Sequence, residues 1–213
     1  MTIRSMLAAC AVTAAVAVPL FAQTVPTVDL PSSPRGLAAI QVSGAWTPSD
    51  DGPQYRNGKW ISVDYGRPIL RGRPNIFGSG AEYGRTIMDG APVWRAGANA
   101  NTRLTTQAAL DFGGTTVQPG VYNVLVDLKP GVWTMILSTQ TLQPQFNAED
   151  KVNLYGGVNY DPKFDVLRVP MAIDVLPVKF EQFTIDFGDV TATGGTLMML
   201  WETTGAFVNF TVK

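Results

Sequence analysis

The sequence predicts an all-β protein, an antiparallel β-sandwich of jelly-roll-like or barrel-like form with an extended N-terminal arm. Three observations lead to this prediction. Short segments rich in Val, Thr, Phe and Trp recur from about residue 58 to the C-terminus, turn-forming Gly and Pro residues separate them, and no stretch carries a helical apolar stripe.

The first strand shows the period-two pattern of a sheet with one buried face. Ile61, Val63 and Tyr65 alternate with polar or outward positions, and residues 183–187 repeat the pattern with Phe and Ile on one side. We predict further strands over residues 102–112, 121–128, 132–138, 165–174, 180–187, 196–202 and 206–212. The last two are expected to form a closing hairpin through residues 203–205, because Gly205 is a turn former.

The N-terminus has the layout of a secretory signal peptide, predicted over residues 1–22. One positive charge at Arg4 precedes an apolar run over residues 6–18, and small residues follow Pro19. The run is shorter than the roughly 20 residues of a membrane-spanning helix, so we expect no transmembrane segment after processing. The predicted location is the periplasm or the extracellular space. Lipoprotein anchoring at Cys10 is the disfavoured alternative, because the apolar run continues beyond that cysteine.

The rest of the chain divides into an arm and one domain. Residues 23–57 are rich in Pro, Ser and Gly and are predicted to form an extended or partly disordered arm. Residues 58–213 are predicted to form a single β-sandwich domain, whose length suffices for a core without cross-links.

Composition excludes several kinds of chemistry. The sequence has no histidine, and its single cysteine, Cys10, lies in the predicted leader. We therefore predict no disulfide, no cysteine or histidine zinc site and no catalytic triad with an imidazole base. The net charge is −1, and −2 without Arg4, so nucleic acid is not a predicted partner. No cofactor and no metal are predicted.

Charged and aromatic residues gather between residues 64 and 102, and their order resembles a known bacterial family. The segments that carry the resemblance are Asp64-Tyr65-Gly66-Arg67-Pro68, Arg71-Gly72-Arg73, Ile76-Phe77-Gly78, Tyr83-Gly84, Val93-Trp94-Arg95-Ala96-Gly97-Ala98-Asn99, Pro119-Gly120-Val121-Tyr122, Trp133-Thr134-Met135-Ile136, Leu167-Arg168-Val169 and Trp201-Glu202. In this order they resemble the family catalogued as domain of unknown function 2911. The resemblance implies an exported all-β domain and implies no activity. The chain departs from the family pattern at Ala96, where threonine is commoner.

The same segment supplies the candidate ligand-binding residues. Guanidinium groups beside aromatic rings suit a carboxylate, a phosphate or the face of a sugar. The predicted ligand-binding residues are Tyr65, Arg67, Arg71, Arg73, Tyr83, Trp94, Arg95 and Asn99. The alternative interpretation gives these residues structural roles instead of ligand contacts. In that interpretation, Trp94 belongs to the core, Asn99 is a turn residue, and Arg95 pairs with Asp64, Asp186 or Glu202.

Two functions are therefore compatible with the sequence. The preferred one is a non-enzymatic binding module for a small anionic or saccharide ligand or for an envelope partner protein. The alternative is a metal-free, glycosidase-like hydrolase that uses Asp186, Glu202 or Asp64. No residue is assigned as catalytic. The carboxylates of Glu149, Asp150 and Asp161 are oxygen ligands of the kind that calcium prefers, but these residues do not have the spacing of a calcium-binding loop.

Overall fold

The computed structural model describes residue 29 and residues 31–213. The predicted leader and its cleavage site lie outside the described residues. The strands are β1 (Arg35–Val42), β2 (Ala45–Thr47), β3 (Gln54–Arg56), β4 (Lys59–Gly66), β5 (Thr102–Thr106), β6 (Leu110–Phe112), β7 (Thr115–Val117), β8 (Gly120–Lys129), β9 (Val132–Ser138), β10 (Asp165–Thr191) and β11 (Gly194–Val212). Helical structure in this part of the chain is limited to α1 (Arg85–Met88) and 3-10 turns at Gly80–Glu82 and Pro162–Phe164.

Nine strands form one antiparallel sheet in the order β1-β4-β5-β8-β9-β10-β11-β6-β7. The long strand β10 belongs to both halves of this sheet. Residues 165–171 pair with β9, and residues 172–191 pair with β11. We call the part from β1 to residue 171 the first half-sheet, and the part from residue 172 through β11, β6 and β7 the second half-sheet.

The two half-sheets pack face to face, so the predicted sandwich is confirmed. The Tyr65 hydroxyl of β4 donates a hydrogen bond to the Ile185 carbonyl of β10 at 3.1 Å. Ile69, just after β4, forms an antiparallel bridge with Gln182. Apolar side chains from both half-sheets leave only a gap of about 10 Å³ between them, about the space of one water. Packing of this kind is what a domain needs when it has no cross-links.

Side-chain alternation on the strands follows the sequence pattern. Ile61, Val63 and Tyr65 are buried in the core, and so are Phe183 and Ile185 of the opposite half-sheet. The intervening residues of β4 face away from the core, on what we call the outer face of the first half-sheet. Because the side-chain period of a strand is two, this alternation also fixes which residues of β1, β5 and β8 share the outer face.

The sheet begins earlier than the sequence suggested. β1 lies within the predicted arm, yet its eight residues pair with β4 from Arg35 opposite Gly66 to Val42 opposite Lys59. Only Ala38 and Val42 of this edge strand are buried. The apolar alternation of β1 is consequently weak in the sequence. The Pro, Ser and Gly residues around β1 dominate the composition, and this is why the segment was predicted to be an arm.

The predicted closing hairpin is wrong. β11 runs without interruption through residues 203–205, and its hairpin partner is β10, with the turn at residues 192 and 193. Residues 203–205 instead follow an irregularity in the pairing of β10 with β11. Glu202 has a φ of 54°, and the register shifts between Val175 and Phe180 on β10. This bulge bends the strand pair, which continues on both sides of it.

A long loop covers part of the outer face. Residues 139–164, which we call the covering loop, pack over β8 and β9 through a small cluster of Val93, Leu125, Ile136 and Leu154. The outer faces of β1, β4 and β5 stay open. The covering loop therefore forms a wall at one side of this open surface of the first half-sheet. Among the described residues, no helix has the length and apolar character needed to cross a membrane.

Candidate binding groove

Two of the predicted ligand-binding residues lie in the core. Trp94 is 2% exposed, and its indole N–H donates to the Gly97 carbonyl at 3.2 Å. It packs against Phe77, Trp133, Phe183 and Trp201 with ring centroids 4.9–6.3 Å apart. Tyr65 is buried beside the same cluster, edge-on to Phe183.

Tyr83 closes this aromatic cluster at the surface. Its hydroxyl accepts a hydrogen bond from the Trp133 indole at 2.7 Å, and its ring stacks on Phe77. Burial raises the pKa of the Tyr83 hydroxyl above its usual value. The hydroxyl therefore stays protonated and neutral at physiological pH.

Two of the arginines that follow β4 are held by the protein itself. Arg67 reaches the second half-sheet, where its guanidinium donates to the Phe183 carbonyl at 3.4 Å and the Thr184 hydroxyl at 3.3 Å. Arg73 donates to the carbonyls of Leu70 and Ile69 in its own turn, at 3.0 and 2.8 Å. These guanidinium groups already have acceptors.

Arg71 differs from the two arginines on either side of it. Its φ is 50°, and its backbone N–H donates to a Glu181 carboxylate oxygen at 2.7 Å. Its exposed side chain borders a shallow depression shared with Arg73 and Ser33. This depression lies apart from the aromatic cluster.

Arg95 and Asn99 form a pair at the edge of the covering loop. The Arg95 guanidinium donates to the Asn99 carbonyl at 2.6 Å and lies 5.6 Å from the centroid of the Tyr155 ring. Asn99 has a φ of 62° and donates from its side chain to the Ser33 carbonyl at 3.2 Å. Arg95 thus bonds a carbonyl, not one of the carboxylates that we considered as partners.

Asn99 borders an open groove of about 710 Å³. Its floor is the outer face of β1, β4 and β5, and its wall is formed by residues 142–145 and Tyr155 of the covering loop. Of the eight predicted residues, the structure brings only Asn99 to the lining of this groove, and Arg95 lies next to Tyr155 of its wall. Tyr65, Arg67, Tyr83 and Trp94 are elsewhere.

A row of charged side chains crosses the groove floor. Asp64 of β4 lies opposite Leu37 of β1 and Arg103 of β5 in the strand register. Arg35 binds Asp64 through two nitrogens at 2.9 and 2.5 Å. Among the described residues, none forms an ion pair or a side-chain hydrogen bond with the Arg103 guanidinium. The floor therefore carries a net positive charge.

Arg103 also borders a second, smaller depression of about 280 Å³. Its lining includes Asn123, Ser138 and Gln140. The exposed guanidinium consequently stands between two polar cavities. Sequence reasoning missed this residue, although it is the outward-facing member of a strand whose neighbours Thr102 and Leu104 are buried.

The covering loop is held in place by amide side chains. Asn101 exchanges two hydrogen bonds with the backbone of Gly156, both at 2.8 Å. Gln140 donates to the carbonyls of Val152 and Asn159 at 2.8 and 2.7 Å and accepts from the Asp161 N–H at 3.0 Å. Because these groups are mostly buried and satisfied, the groove wall is anchored by hydrogen bonds within the protein itself.

Asp150 fixes the turn within the covering loop. One of its carboxylate oxygens accepts the backbone N–H groups of Val152 and Asn153, both at 2.9 Å. These bonds, the one from Asn153 foremost, lower the pKa of the Asp150 carboxyl. Asp161, another of the candidate calcium ligands, is likewise used internally: it accepts from the Lys163 backbone and pairs with the Lys163 ammonium at 2.6 Å. Within residues 29 and 31–213 there is no group of three or more acidic, histidine or cysteine side chains suited to a metal.

The carboxylates considered for hydrolysis have separate surroundings. Glu202 accepts the backbone N–H groups of Asn75 and Ile76 at 2.9 and 3.4 Å. Asp186 lies opposite Met198, whereas Glu202 lies opposite Phe180. Asp64 is bound to Arg35.

One family model, described as Protein of unknown function (DUF2911), matches residues 48–210 of the chain. The chain belongs to this family. The DUF2911 match confirms the resemblance inferred from the ordered segments. It includes Asp64, Arg103 and the whole covering loop, but not Arg35. Neither a curated protein nor a solved structure matches the chain. Ala96, the departure from the family pattern, is fully buried.

Proposed function

We propose that the mature protein is an exported, non-enzymatic binding module that takes a small anionic ligand into the groove around Arg103. The observation that carries this proposal is the Arg103 guanidinium, which stands exposed between two polar cavities and has no acceptor among the described residues. A guanidinium offers a two-pronged donor that matches a carboxylate.

The surroundings of Arg103 support an anion of modest size. The groove volume of about 710 Å³ falls within the range of small-molecule sites. Asp64 is the single acidic residue in its lining, and Arg35 neutralises it. Asn99 and Gln145 line the same groove, and the Gln145 amide, which makes no hydrogen bond with the described residues, is suited to bind hydroxyl groups. A carboxylate-bearing sugar would use both kinds of group.

The hydrolase alternative has less support. Glu202 holds a backbone turn, Asp64 is neutralised by Arg35, and Asp186 lies on a different part of the strand pair from Glu202. General acid-base hydrolysis of a glycoside needs two carboxyl groups facing one substrate. The proposal of a binding module requires no such pair.

Binding is tested by isothermal titration of the mature chain with glucuronate, N-acetylmuramate, citrate and inorganic phosphate. We expect at least one carboxylate to bind, and Arg103→Gln to weaken it about 10- to 100-fold, the range for losing a charge-assisted hydrogen bond. Arg71→Gln is the matched control, because Arg71 is also exposed but lies outside the groove. Equal affinities of the Arg103→Gln and native chains, or no binding by any anion, would contradict the proposal.

Export is tested separately by mass spectrometry of the protein recovered from the periplasm or medium. We expect a chain that begins at Gln23. A lipid attached to Cys10 would overturn the predicted processing and replace it with membrane anchoring.

A further inference from the structure

The five tryptophans fall into two groups. Trp94, Trp133 and Trp201 belong to the core. Trp46 is 70% exposed and Trp60 is 49% exposed. Leaving a large aromatic surface in water forgoes the free energy of burial. The surface around these two rings therefore exposes aromatic area that the fold does not bury.

The two exposed indoles flank one amide side chain. Gln41 of β1 lies directly opposite Trp60 of β4 in the strand register, which places their side chains on the same outer face. Gln41 also lines a cleft of about 400 Å³ together with Trp46. Among the described residues, no side-chain hydrogen bond uses the Gln41 amide, so its donors and acceptor are available to a ligand.

Trp46 belongs to the small hairpin of β2 and β3. It lies opposite Tyr55, with ring centroids 5.5 Å apart in an edge-to-face arrangement. The Tyr55 hydroxyl accepts the Gly44 N–H at 2.8 Å. A Cβ atom at Gly44 or Gly58 would lie 2.5 or 2.7 Å from the Tyr55 ring. Close packing on two glycines therefore fixes the ring that supports Trp46.

The opposite wall of the cleft is the end of the β10–β11 hairpin, at Val190, Thr191 and Ala192. The Ser43 N–H donates to the Ala192 carbonyl at 2.9 Å, which ties this wall to the end of β1. None of the residues that line the cleft is charged. Flat apolar rings and neutral hydrogen-bonding groups make up its surface.

We propose that this cleft is a second binding site, independent of the Arg103 groove, and that it takes a neutral saccharide. A pyranose ring presents an apolar C–H face and an edge of hydroxyl groups. The C–H face would lie on the electron-rich face of the Trp46 indole, and the hydroxyl groups would bind the Gln41 amide. Trp60, beside Gln41, would accept a second ring of the same chain. A cleft of about 400 Å³ has the size of a small-molecule site.

The site is tested by titrating the mature chain with cellohexaose, chitohexaose and maltohexaose, followed by tryptophan fluorescence and calorimetry. We expect at least one of them to bind. Trp46→Ala should weaken it about tenfold or more, as for the loss of one aromatic stacking partner, and Trp46→Phe should weaken it less. Gln41→Ala should also reduce affinity. Because Trp46 is exposed, these variants should keep the native circular dichroism spectrum.

Two controls distinguish binding in this cleft from binding at another exposed ring or in the Arg103 groove. Phe146→Ala removes another exposed aromatic ring and should leave saccharide affinity unchanged, and so should Arg103→Gln. Failure of all three oligosaccharides to bind, or unchanged affinity in both Trp46→Ala and Gln41→Ala, would overturn the proposal. So would a concentration-dependent dimer in sedimentation that Trp46→Ala abolishes, because the cleft would then be an interface with a second copy.

Discussion

The aromatic cluster around Trp94 and the polar groove around Arg103 place similar residue types in opposite surroundings. In the cluster, Trp94 and Tyr65 are buried and the nearby Arg67 bonds a main-chain carbonyl, so these groups hold the two half-sheets together. In the groove, Arg103 projects from a strand into open space. Residue type alone therefore does not tell where a side chain lies. Burial separates the rings of the cluster from the groove, and an unused guanidinium separates Arg103 from Arg67.

The largest expected effect of a substitution lies in the cluster. Trp94→Ala should cost about 3–5 kcal/mol of stability, the usual loss for a buried aromatic residue. The melting temperature should fall by roughly 10 °C or more. Thermal unfolding followed by circular dichroism measures this. A change as small as that expected for Arg103→Gln, within about 0.5 kcal/mol for a surface site, would break the contrast between the two regions.

The next largest effect concerns the anchor of the covering loop. Asn101→Ala leaves the N–H and carbonyl groups of Gly156 without partners in a buried place, which costs about 1–3 kcal/mol for each unsatisfied group. We expect faster amide hydrogen exchange over residues 150–157 and weaker anion binding in the groove. Asn147→Ala, at an exposed position of the same loop, is the control. Unchanged exchange in Asn101→Ala would mean that the loop has another anchor.

Arg95→Ala should have a smaller effect of about 1–2 kcal/mol, or a few degrees in melting temperature. It removes the donor to the Asn99 carbonyl and the cation beside Tyr155. Calorimetric unfolding checks this prediction. An unchanged melting curve combined with lost anion binding would assign Arg95 to ligand recognition instead of to the fold.

The smallest effect is a dependence of the covering loop on pH. The pKa of Asp150 is lowered in the folded protein, so its stabilising bonds are present above the unfolded value of about 3.9 and are lost as the pH falls through the folded pKa. Hydrogen exchange at Val152 and Asn153 should therefore rise in acid before the core opens. In Asp150→Asn this step should disappear. Its persistence would assign the acid sensitivity to another carboxyl.

Much of the fold could be predicted because strand alternation is local. The buried faces at residues 61–65 and 183–187 follow from the pattern, and β9 has the predicted bounds, Val132–Ser138. The prediction failed where long strands pass through turn-forming residues. β10 and β11 continue across their bulges because pairing with each other outweighs the local preference of Gly205 for a turn.

The candidate site was harder to predict because its parts are distant in the sequence. Arg35, Asp64, Arg103 and Tyr155 meet only through strand register and the return of the covering loop. The dense arginines between residues 64 and 99 are close in sequence, but the chain there is irregular and distributes them over separate surfaces. Outward alternation in β5 was the available signal for Arg103.

The most direct test of anion recognition at Arg103 is an NMR titration of the mature chain, labelled with ¹⁵N, with the carboxylate that binds best. We predict that the Arg103 Nε–H signal, identified by its loss in Arg103→Gln, and the backbone amides of residues 101–103 and 142–145 shift with ligand. The indole signals of Trp94, Trp133 and Trp201 should stay in place. Shifts at Arg71 and Arg73 with an unmoved Arg103 signal would contradict this assignment and move recognition to the other arginine-lined depression.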